Sequence, residues 1–115
     1  MTTVDTAADG TVRDVTDDSF AAEVLRARLP VLVEFTAEWC PPCRRMEPVL
    51  AALAGEQRDR LRVVRIDVDE NPATTLRYGV LSAPTLMVFR DGEAVASWVG
   101  ARSGWRLAQD LAGVL

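Results

Sequence analysis

The stretch Val31-Leu32-Val33-Glu34-Phe35-Thr36-Ala37-Glu38-Trp39-Cys40-Pro41-Pro42-Cys43 decides the fold. Val31 to Phe35 is β-branched and apolar on both faces, which marks a central strand covered by helices on each side, and Glu34 breaks that run. From Pro41 to about Arg58, Met46, Val49, Leu50 and Leu53 recur at helical spacing, so an amphipathic helix follows the strand almost at once. Pro48 should bend this helix near Arg44 or Arg45, because its ring presses on the carbonyl four residues back. Both cysteines of the chain lie in the turn between strand and helix.

Upstream, Met1 to Gly10 is a run of small, mostly polar residues without basic or apolar clusters, expected to be a flexible tail and not a secretory signal. Residues 11–115 then form one domain. Thr11 to Val15 is β-prone, and Thr16 or Asp17 is placed to cap a helix reaching about Arg28, with Phe20, Val24 and Leu25 on its apolar face. Downstream, Leu61 to Asp69 alternates as a strand, and Asn71-Pro72 opens a short helix through Tyr78 that Gly79 stops. Thr85 to Arg90 and Glu93 to Val99 flank Asp91-Gly92, a strong hairpin signal. Ser103 caps a last helix with Leu107, Leu111 and Val114 on one face. The order β, α, β, α, β, α, β, β, α predicts an α/β fold, a mixed central sheet flanked by helices on both faces.

Composition narrows the function. The chain has 115 residues, 13 basic against 17 acidic, and a net charge of −4. It has no basic stripe of the kind that binds nucleic acid. The longest apolar stretch, Val49 to Ala54, is far short of the ~20 residues that cross a bilayer, so no membrane span is expected. Every basic residue is arginine, and histidine and lysine are absent. Imidazole bases, imidazole zinc ligands and lysine Schiff bases are therefore excluded.

Cys40-Pro41-Pro42-Cys43 remains as the centre of chemistry. Thiols three residues apart across a helix start come within disulfide reach, and the positive end of the helix dipole stabilises the thiolate of the first. Cys40 is expected to be an exposed, low-pKa nucleophile and Cys43, one turn in, a shielded resolving thiol. A passive structural disulfide is the plainer use of the pair. Metal binding is the other, but zinc or iron–sulfur centres want four ligands, which two thiols supply only in a dimer.

The segment from Val31 to Cys43 resembles the active-site stretch of the thioredoxin family. Asp67-Val68-Asp69-Glu70-Asn71-Pro72, Tyr78-Gly79-Val80, Ala83-Pro84-Thr85-Leu86, Phe89-Arg90-Asp91-Gly92 and Val99-Gly100-Ala101 are similar to later segments of that family in the same order. The resemblance covers roughly residue 11 to the end and implies the thioredoxin fold. It further implies a protein-disulfide oxidoreductase that reduces client disulfides through Cys40 and Cys43. Such a protein needs no cofactor beyond the redox-active pair itself, is recharged by a separate reductase, and is expected as a cytoplasmic monomer. Pro84, after Ala83, matches the family's cis-proline, against the alternative of an ordinary trans proline opening a strand. The backbone of Ala83 would pair with an extended client segment. Trp39, Val99, Gly100 and Ala101 match the apolar docking surface, with plain core as the alternative for Val99.

Glu34 stands where the family usually has aspartate, the residue that assists deprotonation of the resolving thiol. Burial would raise its pKa and poise it near neutrality. Arg65 on the neighbouring strand is its expected partner, and a purely structural ion pair is the competing reading. Pro41 replaces the usual glycine between the cysteines. It removes one N–H donor, which weakens thiolate stabilisation, while the stiffer backbone favours disulfide closure; Pro41 and Pro42 are thus expected to tune the couple. Arg44 and Arg45 either favour the thiolate or bridge to Glu47 or Glu38. The rival functions are a more oxidising oxidase or isomerase, suggested by Glu34 and Pro41 together, and a thioredoxin-like binding module without redox activity.

Overall fold

The computed structural model describes residues 10–115, so all but the last residue of the expected tail lies outside the described residues. Five strands, β1 (Val12–Asp14), β2 (Val31–Thr36), β3 (Arg62–Asp67), β4 (Thr85–Arg90) and β5 (Glu93–Val99), form one sheet in the order β1-β3-β2-β4-β5. β1, β3 and β2 run parallel, while β4 and β5 are antiparallel additions. β2 is central and buried from Val31 through Phe35, as its apolar sequence requires.

Alternation along β2 divides the core. Leu32 packs with Val63, Leu86 and Val88 against Met46, Leu50 and Leu53 of α1 (Pro41–Glu56) and Leu107 and Leu111 of α3 (Gly104–Ala112). Val31, Val33 and Phe35 face the other way, onto Phe20, Val24 and Tyr78. There Tyr78, at the end of α2 (Pro72–Arg77), meets the Phe20 ring at 5.7 Å and the Phe89 ring edge-on at 5.0 Å. Asp91 and Gly92 take φ of 53° and 83°, the left-handed pair that a two-residue hairpin needs. The Ser103 side chain caps α3 by accepting from the Arg106 N–H at 3.1 Å. α1 continues through Pro48 without interruption.

Local expectations are corrected at two helix starts and one strand end. Thr16 does close a turn, its hydroxyl accepting from the Ser19 N–H at 3.2 Å, but the regular helical run is short, Ala21–Leu25, and wound as a π-helix. Asp17 caps a different helix: its carboxylate accepts from the N–H groups of Ala73 at 3.2 Å and Thr74 at 2.9 Å, at the start of α2. Asn71 occupies the N-cap position of α2, yet its side chain makes no capping bond, because its oxygen accepts from the Asp17 N–H at 2.8 Å. The strand expected to reach Asp69 ends at Asp67, whose carboxylate accepts from the N–H groups of Asp69 and Glu70 and turns the chain.

Candidate functional site

Cys40 is the N-cap residue of α1, in extended conformation, with Pro41 and Pro42 as the first helical residues. Proline suits these positions, since its fixed φ is already helical and its missing N–H has no partner there within the helix. Cys43 is brought one turn along, 5.3 Å from Cys40 between Cα atoms, and the two sulfurs are joined in a disulfide. The Cys43 N–H donates to the Cys40 Sγ at 3.2 Å. With prolines at the two preceding helical positions, it is the first N–H this helix start offers.

The expected exposure of Cys40 is not seen in this oxidised form: Cys40 and Cys43 are 1% and 2% exposed. They pack with Ala37, and Val68 and Ala83 lean on the cluster. Burial follows from the neighbouring loop. The Cys40 Sγ lies 3.4 Å from the carbonyl oxygen of Ala83, whose bond to Pro84 is cis. A disulfide sulfur has no proton to give, so this is a contact that becomes a hydrogen bond only when Cys40 is a thiol.

Around the disulfide, Trp39 is 64% and Val99 67% exposed, so Val99 is surface and not core. Ala101 is exposed as well, and Gly100, at φ 98°, donates its N–H to the Pro84 carbonyl at 2.9 Å. The loop carrying Pro84 is thereby tied to the end of β5. The Trp39 indole donates to Asp69 at 2.7 Å, a partner that the sequence reading missed although Asp69 falls within a segment it had singled out. The Arg44 guanidinium donates to the Glu38 carbonyl at 2.9 Å, which closes the loop before Cys40 and replaces the expected bridge to a carboxylate.

Glu34 is fully buried, on the face of β2 covered by α1, and neither carboxylate oxygen has a hydrogen-bond partner. Burial pushes its pKa up to about 7, against the pull of Arg65 and with a smaller push from Glu47. α1 packs on this face of β2, with Met46 and Leu50 in the same apolar cluster as Leu32. Arg65 stands directly opposite Glu34 in the strand register, but the expected ion pair does not form. Its guanidinium bonds Asp14 at 3.1 Å and approaches Glu47 at 4.0 Å. Glu47 lies four residues after Cys43, a helical spacing that would have pointed to it.

Among the described residues, no group of three or more His, Cys, Asp or Glu side chains could hold a metal ion, and no helix is long and apolar enough to cross a membrane. A disulfide-bonded cysteine pair at a helix start, held against a cis-proline loop, places two sulfurs where thiol–disulfide exchange can occur.

Comparison with known proteins makes the class specific. The thioredoxin family model matches residues 11–113. A thioredoxin of Streptomyces clavuligerus is 48% identical over 93 residues, covering 81% of this chain and 86% of that protein. Thioredoxin 1 of Synechococcus elongatus is 46% identical over 97 residues, 84% of this chain and 91% of its own. A bifunctional thioredoxin reductase/thioredoxin of Mycobacterium leprae is 44% identical over 92% of this chain, which spans 23% of that longer protein. The chain belongs to the thioredoxin family, and it is a thioredoxin-type disulfide oxidoreductase. Membership implies disulfide-bearing clients and a thioredoxin reductase as partners.

Proposed function

We propose that this chain reduces disulfides in client proteins, with Cys40 as the attacking thiolate and Cys43 as the resolving thiol. The Cys40 sulfur displaces one sulfur of the client disulfide, which leaves as a thiolate and takes a proton. Cys43 then loses its proton and attacks Cys40, releasing the client's second thiolate. The client has gained two electrons and two protons, one proton from solvent in place of the one Cys40 had already lost and one from Cys43 by way of Glu34, and the Cys40–Cys43 disulfide remains for the reductase to reopen. Glu34 is the proton acceptor for Cys43. Pro41, Pro42 and Arg65 tune the couple. Trp39, Ala83, Pro84, Val99, Gly100 and Ala101 receive the client. The protein works without a bound cofactor, as a monomer, in the reducing cytoplasm.

The observation that carries this reading is the Cys40–Cys43 disulfide at the start of α1, facing the Ala83 carbonyl. The test is the equilibrium of the couple in a redox buffer, read by thiol alkylation and mass, together with insulin reduction by the Cys40→Ser variant. A potential near about −270 mV and an inactive variant are expected; a potential above about −200 mV would make the protein an oxidant or isomerase. A variant that still reduced insulin would remove Cys40 from the role of nucleophile.

A further inference from the structure

Arg65 is the cation nearest in sheet register to Glu34, yet its charge is turned elsewhere. Asp14, opposite Arg65 on β1, and Glu47, on α1, take the guanidinium from two sides. Asp14, Glu47 and Arg65 line one open cleft of about 350 Å³ beside Thr36 and Ala37, so these ion pairs meet solvent while Glu34 is fully buried. We propose that Glu47 and Asp14 are positioning residues for disulfide exchange, holding the Arg65 guanidinium at the surface so that it does not become the counterion of Glu34.

The other surroundings of Glu34 agree. β4 sets Leu86 opposite it, and α3 contributes Leu107 to this face. α1 supplies Cys43, Met46 and Leu50 on its buried side and Glu47 at its edge. The charges that act on Glu34 are thus Arg65 and Glu47. An unpartnered carboxylate in an apolar site remains a competent proton acceptor near neutral pH, whereas one neutralised by a guanidinium would be ionised far below it and a poor base.

This inference rests on Glu34 being the proton acceptor, but its test does not. The Glu34 carboxyl is titrated by carbon NMR in the oxidised protein, with Glu34→Gln identifying its resonance. Glu47→Gln should lower the midpoint by roughly half a pH unit or more, Asp14→Asn should lower it less, and Arg65→Gln should raise it. Glu47→Gln placed in the Arg65→Gln background should shift the midpoint by less than half of its effect in the parent. All three positions are at least partly exposed, so the variants should fold. An unchanged or higher midpoint in Glu47→Gln, or the same shift with and without Arg65, would overturn the proposal. A normal titration pattern with no matching change in the pH profile of insulin reduction would instead fault the role of Glu34 and leave the tether standing.

Discussion

The sulfur of Cys40 and the carbonyl oxygen of Ala83 face each other across 3.4 Å, joining the start of α1 to the loop before β4. On the proposed reading, a client that exchanges with Cys40 lies along Ala83, whose backbone an extended segment can pair with. In the Cys43→Ser variant the exchange should stop halfway, with the client held on Cys40. Backbone NMR of that adduct should show the Ala83 amide shifted and slowed in hydrogen exchange. An Ala83 amide indifferent to the bound client would place the client elsewhere.

Glu34 makes stability depend on pH. Its folded pKa, about 7, lies above the ordinary 4.5, so between these values the folded state keeps a proton that the unfolded state has lost. Stability accordingly falls as pH rises through this window and levels off above it, a loss of about 3 kcal/mol. Asp17 acts in the opposite sense: its carboxyl is held low by its bonds to Thr74 and Ala73 and destabilises the fold only when acid protonates it. Denaturant unfolding at a series of pH values should show the decline in the parent and a much flatter profile in Glu34→Leu.

The two prolines at the head of α1 make a graded prediction. An N-cap side chain accepts from the N–H of the second or third helical residue; here the second is Pro42, leaving Cys43 as donor. Pro42→Ala should return a donor to the Cys40 sulfur and raise the alkylation rate of the reduced protein at neutral pH about two- to fivefold. Pro41→Ala, at the first position, should do less. Equal effects would show that chain stiffness, and not donor number, governs the thiolate.

Val99 offers a separation of docking from chemistry. It is 67% exposed, so Val99→Asp should leave the melting temperature within a few degrees of the parent. If Val99 receives the client as proposed, the KM for a protein disulfide should rise severalfold, since a charge replaces an apolar contact, while the rate with a small aromatic disulfide should be unchanged. Parallel losses on both substrates would assign Val99 to the couple itself.

The fold was legible because its signals are local and repeated. The apolar run of β2, the stripe of α1, the Asp91-Gly92 turn and the Ser103 cap each name one element and agree on the order. What sequence could not show are partnerships between distant segments. Asp17 looked like the cap of the helix beside it, and only the packed chain brings its carboxylate to the N–H groups of Ala73 and Thr74. Arg65 was legible as the strand neighbour of Glu34, but the direction of its side chain is settled by Asp14 on an edge strand and Glu47 on a helix. The depth of Cys40 was misjudged for a related reason: an N-cap is open in an isolated helix, and here the Ala83 loop lies against it.

Both cysteines of the chain are engaged in one bond, and no other thiol exists in it. Each molecule thus has one sulfur partner to give, and giving it to a second copy would take it from its own couple. On the proposed roles, a copy joined to a second through Cys40 keeps its own Cys43 as a free thiol beside that bond, so the step that releases a client also dissolves a covalent dimer.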